Sequence, residues 1–88
     1  MQTEINIVNK LGLHARAAAK LTQLASEFPC EVWMTHKKRR VNAKSIMGVM
    51  MLAAARGSTV LLECTGLHEE DAIKAIEKLV VQRFGEEE

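Results

Sequence analysis

His14 is the residue whose type least suits its place. It follows the turn signal of Gly12 and stands directly before a stretch that reads as helix, from about Ala15 to Ser26. A helix start usually carries Ser, Thr, Asp or Asn, whose short side chains accept a bond from the first unpaired amides. Histidine serves that purpose poorly, and departures from local rules concentrate where a chain does chemistry. The position favours an anion. The amides of Ala15, Arg16 and Ala17 lack partners within the helix and lie at the positive end of its dipole. Arg16 adds a guanidinium matched to phosphate oxygens. A neutral imidazole has one unprotonated nitrogen, which can attack phosphorus, and the amides and Arg16 would hold the group so gained. Phosphoryl transfer asks chiefly for positioning and charge neutralisation, so no deep pocket is needed. On spacing alone, His-x-Arg reads more readily as a surface histidine beside an incidental arginine.

Other candidates carry less. Ser45 reads as the cap of a second helix. Lys37-Lys38-Arg39-Arg40 reads as a solvated hairpin turn, with attraction of an acidic partner or of nucleic acid as the second reading. Phe28, Trp33 and Phe84 are the only aromatic residues, too few for a base-stacking platform. His36 and His68 have no partners at metal-ligand spacing and read as solvated. Cys30 and Cys64 likewise lack ligand spacing, and neither has a histidine placed to activate it; both read as small core residues.

The elements that would position His14 follow from periodicity. Residues 2–8 alternate as a half-buried strand, and Asn9 to Gly12 break the pattern. Ala17, Ala18, Leu21, Leu24, Ala25 and Phe28 form one helical face, closed by Pro29. Glu31–His36 and Arg40–Asn42 read as two strands joined by a tight turn. Ser45 to Arg56, ended by Gly57, reads as a helix apolar almost all round. Such a helix cannot bury every face against a one-sided sheet. Some of Ile46, Met47, Met50 and Met51 should then be exposed, as gap-filling methionines of a core or as a docking patch; Met47 and Met50 favour docking and Ile46 suits either role. Thr59–Cys64 reads as the fourth strand. Three acids, Glu69, Glu70 and Asp71, open a last helix whose buried stripe runs from Ala72 to Phe84. Glu86-Glu87-Glu88 reads as a frayed tail. The order βαββαβα predicts an α+β open-faced sandwich, a four-stranded mainly antiparallel sheet with three helices on one face.

Size and charge bound the function. The 88 residues suit one domain spanning 1–88, with 48% hydrophobic residues and a core too small for a large enclosed cavity. Twelve Lys and Arg against eleven Asp and Glu give a net charge of +1, which argues against a nucleic-acid binder. No apolar run is long enough to cross a bilayer, and Met1-Gln2-Thr3-Glu4 lacks a secretion-signal layout. The chain reads as a reduced, cytosolic, monomeric protein with no membrane partner, cofactor or metal.

Two segments carry a resemblance. Leu11-Gly12-Leu13-His14-Ala15-Arg16-Ala17-Ala18-Ala19-Lys20-Leu21 resembles the active-site segment of the HPr family of histidine-containing phosphocarrier proteins. Lys44-Ser45-Ile46-Met47-Gly48-Val49-Met50 resembles the same family's second signature, around its regulatory serine. Their separation, the element order and the length agree, so the resemblance covers the whole chain. It implies a relay in the phosphoenolpyruvate-dependent phosphotransferase system rather than a stand-alone enzyme. The phosphoryl group would come from enzyme I to Nδ1 of His14 and pass to a histidine of an enzyme IIA domain, with Arg16 as electrostatic partner. Ser45 would be a target of HPr kinase/phosphorylase, and the region of Ile46, Met47 and Met50 would meet partners. Ala17 departs from the family's usual proline, leaving an extra amide donor and a looser first turn. A regulatory or docking module of the same fold that carries no phosphate is the alternative. The Ser45 signature is similar to that of kinase-regulated members, whereas Phe84-Gly85-Glu86-Glu87-Glu88 faintly resembles the nitrogen-related branch.

Overall fold

The computed structural model describes residues 1–88. Its elements are β1 (Gln2–Asn6), α1 (Ala15–Ala25), β2 (Glu31–His36), β3 (Arg39–Asn42), α2 (Ile46–Met51), β4 (Thr59–Thr65) and α3 (Glu69–Val81). The four strands lie in the order β1-β4-β2-β3, and each pairing is antiparallel. Alternation decides which face is covered. Ile5, Val32, Met34, Val60, Leu62 and Cys64 point into the core with α1, α2 and α3, while Trp33, Thr35, Leu61 and Glu63 stay partly open on the other face. The expected α+β open-faced sandwich is therefore the fold found. The small side chains of Ala17, Ala18 and Ala25 let α1 lie close to the core, with none of their surface left exposed.

The β2–β3 hairpin turns on Lys37 and Lys38, with φ of 48° and 69°. Two successive positive φ values give the turn whose twist matches the paired strands. The four basic side chains of that run divide. Arg39 donates to the Met51 carbonyl at 2.9 Å, and Arg40 lies 4.2 Å from the Trp33 ring centroid and 3.5 Å from Glu63. The lysines are exposed at the tip.

Strand bounds shift by one or two residues, and the ends of all three helices differ from expectation. Helix α1 stops at Ala25, so Phe28 lies beyond it; Glu27 and Phe28 instead donate to Leu24 and Ala25, three residues back. Such bonds tighten a last turn, and Pro29 disfavours helical backbone at Phe28. Helix α2 has only 6 residues and ends at Met51 rather than near Arg56. An apolar run does not reveal where its carbonyls bond. Here Met51, Leu52 and Ala54 accept from Arg39, His36 and Leu13 respectively, and Ala53 turns the chain with φ 51°. His36 is thus partly buried and bonded through Nδ1, not solvated as its isolation suggested. His68 is exposed, at the start of α3.

The third difference matters most. Helix α3 ends at Val81, and Arg83, Phe84 and Gly85 follow with φ of 57°, 55° and 80°. Left-handed backbone costs roughly 1–2 kcal/mol at each non-glycine residue. Burial of the Phe84 ring, 1% exposed, returns about 1.5–3 kcal/mol, and Lys20 Nζ adds a 2.6 Å bond to the Phe84 carbonyl. This turn sends residues 86–88 back across the start of α1. They are not a frayed tail: Lys10 N donates to a Glu88 main-chain oxygen at 2.8 Å, and Glu86 is tied to Asn9 and His14.

Candidate functional site

The loop between β1 and α1 is built to hold one shape. Asn9 is fully buried, and its Nδ2 donates to the Gly12 carbonyl at 2.8 Å and to Glu86 Oε1 at 3.0 Å. Gly12 has φ +65°, and a Cβ there would stand 2.6 Å from the Ala54 carbonyl oxygen. Only glycine meets both conditions. Leu13 donates its amide to that same oxygen at 3.0 Å and buries its side chain. These anchors deliver His14 to the cap position just before α1 in extended backbone, φ −73° and ψ 178°.

His14 does not cap the helix with its side chain. Its carbonyl accepts from Ala18 N at 2.8 Å, while the amides of Ala15, Arg16 and Ala17 have no acceptor within the protein. Ala15 and Arg16 are exposed residues, so an incoming group can reach this end of the helix. Ala17 is 0% exposed, which withdraws its amide from an arriving anion. The three expected donors are thus two open ones and one closed over. The Arg16 guanidinium makes no ion pair and lines the same open depression, of about 710 Å³, as Lys10, Leu11, His14 and Glu86. A shallow, open place of this kind suits a group that must be given away again.

The imidazole is 29% exposed, neither tucked inward nor free. Nε2 lies 2.6 Å from Glu86 Oε2, and Nδ1 has no partner within the protein. Partial burial works to raise the Glu86 carboxyl, but hydrogen bonds from His14 and Asn9 outweigh it and hold the group below its usual range. An ionised carboxylate only accepts, so Nε2 carries the proton and Nδ1 of the neutral ring presents its lone pair.

Ser45 stands at the start of α2, exposed, with Oγ accepting from Gly48 N at 3.1 Å. Beside it Ile46, Met47 and Met50 are 45%, 68% and 38% exposed, so the apolar helix does leave these side chains outside the core. Cys30 and Cys64 are buried free thiols, as their core reading expected; burial, with Cys30 adding to it, pushes Cys64 up to about 12. No helix is long and apolar enough to cross a membrane, and no three His, Cys, Asp or Glu side chains gather to hold a metal. The sequence reading missed Asn9, Lys20 and Glu86. A signal existed for the last: Gly85 between an apolar Phe84 and three acids marks a turn rather than a fray.

Comparison with known proteins decides the family. The family model described as "PTS HPr component phosphorylation site" matches residues 1–82. This is an HPr-family chain. The phosphocarrier protein HPr of Cupriavidus necator is 58% identical over 88 residues, covering 100% of this chain and 99% of the relative. That of Neisseria meningitidis serogroup A is 53% identical with the same coverage. Among solved structures, HPr-C-His from Thermoanaerobacter tengcongensis superposes with a TM-score of 0.96 at 46% identity, covering 100% of this chain and 99% of the other. A structure described as an HPr dimer from the same organism gives 0.80 at 49% identity, covering 93% and 94%. HPr is a phosphocarrier component of the phosphotransferase system, and the open imidazole edge at His14 falls inside the matched span.

Proposed function

We propose that the chain is a cytoplasmic phosphoryl relay between phosphorylated enzyme I and an enzyme IIA domain, with His14 Nδ1 as the atom that carries the group. The unpartnered Nδ1 beside the open amides of Ala15 and Arg16 is the observation that supports this reading. In the accepting step the Nδ1 lone pair forms the N–P bond while the donor histidine's N–P bond breaks, its electron pair returning to the donor ring. In the onward step the Nδ1–P pair returns to His14 and the acceptor histidine takes the phosphoryl group. The two amides and Arg16 neutralise the three phosphoryl oxygens during each transfer. Every one of these groups comes from a single chain, which favours the monomer as the relaying form.

Ile46, Met47 and Met50 form the surface that partners meet, flexible methionines letting one patch fit successive partners. Ser45 is a regulatory site for HPr kinase/phosphorylase: a dianion added beside that patch would oppose docking of an acidic partner. Incubation with enzyme I and phosphoenolpyruvate tests the relay. The expected result is an acid-labile adduct of one phosphoryl group on His14, chased off by enzyme IIA and absent from His14→Ala. An unmodified wild-type chain would refute it. A docking module without phosphate would bind partners equally well as His14→Ala and never label.

A further inference from the structure

We infer that Glu86 is the positioning residue of the relay: its carboxylate fixes the proton of His14 on Nε2 and offsets the positive charge that the ring acquires when Nδ1 takes the phosphoryl group. The inference rests on the relay reading and extends it to a residue outside the matched span, which ends at residue 82. The geometry has three parts. Glu86 Oε2 meets Nε2 at 2.6 Å, with the carboxylate side chain only 16% exposed. Its second oxygen is held by Asn9 Nδ2, a side chain with none of its surface exposed, so the carboxylate cannot swing freely. The left-handed turn at Arg83–Gly85, with the Lys20 bond to the Phe84 carbonyl, fixes where residue 86 emerges.

The chemistry follows from the charges. A neutral ring protonated at Nε2 attacks through Nδ1, no proton leaves, and the phosphorylated ring is left cationic. The donor ring loses the same charge as it gives up the group, so the positive charge travels with the phosphoryl unit. A carboxylate hydrogen-bonded to Nε2–H raises the basicity of Nδ1 before attack and neutralises the cation after it. Lys10, Arg16 and Lys20 also face this region, Lys20 drawing on Glu86 through its charge. They favour an incoming dianion; Glu86 is the acid that bonds the ring itself. Water alone could solvate an exposed cationic ring, but a ring 29% exposed has its Nε2 edge covered by Glu86.

The experiment compares the full chain with Glu86→Gln, Glu86→Ala and Glu87→Gln. Glu87 loses the same charge from the same segment without a side-chain bond to the ring. In the unphosphorylated proteins, ¹⁵N chemical shifts of the His14 ring report which nitrogen is protonated, and this reading does not depend on relay activity. The expected result is a single Nε2–H form in the wild type and in Glu87→Gln, a mixture of both tautomers in Glu86→Ala, and phosphoryl acceptance from enzyme I slowed about 10–100-fold in both Glu86 variants. Unchanged circular dichroism would confirm that the variants fold. Wild-type tautomer preference retained in Glu86→Ala, transfer within twofold of wild type in both Glu86 variants, or equal slowing in Glu87→Gln would each overturn the assignment. A wild-type chain that never labels refutes the relay reading instead, and does so with the tautomer result still in hand.

Discussion

The starts of α1 and α2 pose the same physical problem and differ in one answer, the side-chain cap. Both leave unpaired amides at the positive end of a helix. At α2, Ser45 Oγ accepts from Gly48 N at 3.1 Å, so a side chain caps the third amide while those of Ile46 and Met47 have no acceptor in the protein. At α1, His14 supplies no side-chain cap, and the amides of the exposed residues Ala15 and Arg16 have no acceptor in the chain. Ordinary capping stabilises a helix by about 1 kcal/mol. Its omission at α1 therefore exchanges stability for an opening, and a histidine at that opening has its second nitrogen already committed to Glu86. The difference teaches that the helix start without a side-chain cap, where a histidine stands in the cap's place, is where to look for a transient anion.

Exchanging the answers should have the largest effect. His14→Ser gives α1 the cap that α2 has. Phosphoryl acceptance from enzyme I should disappear entirely, read by intact mass after incubation with phosphoenolpyruvate. Stability should hardly move, within about 1 kcal/mol by urea unfolding, because the cap gained offsets the Glu86 bond lost. Persistent labelling of the His14→Ser variant would break the comparison, since the start of α1 would then not need its imidazole.

Next comes the loop that delivers His14. Gly12→Ala would place Cβ 2.6 Å from the Ala54 carbonyl oxygen on backbone at φ +65°. Something in the 9–14 loop or the 52–55 turn must move, and the expected loss is about 2 kcal/mol or more by urea denaturation. The ¹H–¹⁵N spectrum should show shifts concentrated at residues 9–16 and 52–55. Wild-type stability together with unshifted resonances there would mean that the loop is softer than its contacts indicate.

These two regions also show what was legible in the sequence. His14, Gly12 and Arg16 announced themselves locally, as a wrong residue at a helix start, a turn glycine and a phosphate-matched cation. Strand alternation and the alanine-rich face of α1 gave the sheet and its cover, because burial leaves a periodic trace in residue type. Asn9 left no such trace, and Glu86 only the turn signal of Gly85 before it. Their roles depend on a left-handed turn at Arg83–Gly85, which brings Glu86 to Asn9 and His14 across separations of 77 and 72 residues. The length of α2 was equally hidden. Its apolar run continues past Met51, and only the tertiary donors Arg39, His36 and Leu13 show why the helix stops there. Side chains that bond across the fold obey no local period, and that is where the sequence reading fell short.

Ser45→Ala sharpens the comparison from the other side, with a smaller expected effect. It removes the α2 cap and should lower stability by about 1 kcal/mol in urea unfolding. Phosphoryl acceptance by His14 should stay within twofold, since Ser45 Oγ bonds only Gly48 N within the protein. A tenfold loss of acceptance at unchanged fold would show that the two helix starts act as one site.

The smallest effect concerns acid. Glu86 sits below its usual 4.5 in the folded chain because His14 and Asn9 bond its charged form strongly enough to outweigh partial burial. A carboxyl with a depressed folded value binds its proton more tightly when unfolded. Its contribution to stability is therefore complete above about pH 4.5 and is lost as pH falls through the lower folded value. Glu86→Gln has no such proton to take up. Urea midpoints of the wild type and of this variant should be most separated near pH 6, with the wild type higher, and should converge as pH falls below 4.5. Glu87, exposed and bonded only through its main chain, provides the reference: at pH 6 the urea midpoint of Glu87→Gln should stay closer to the wild type than that of Glu86→Gln. A constant gap for Glu86→Gln from pH 6 to the acid limit would mean that the carboxylate charge contributes nothing where it meets the ring. The contrast between the capped start of α2 and the uncapped start of α1 would then rest on the missing side-chain cap alone.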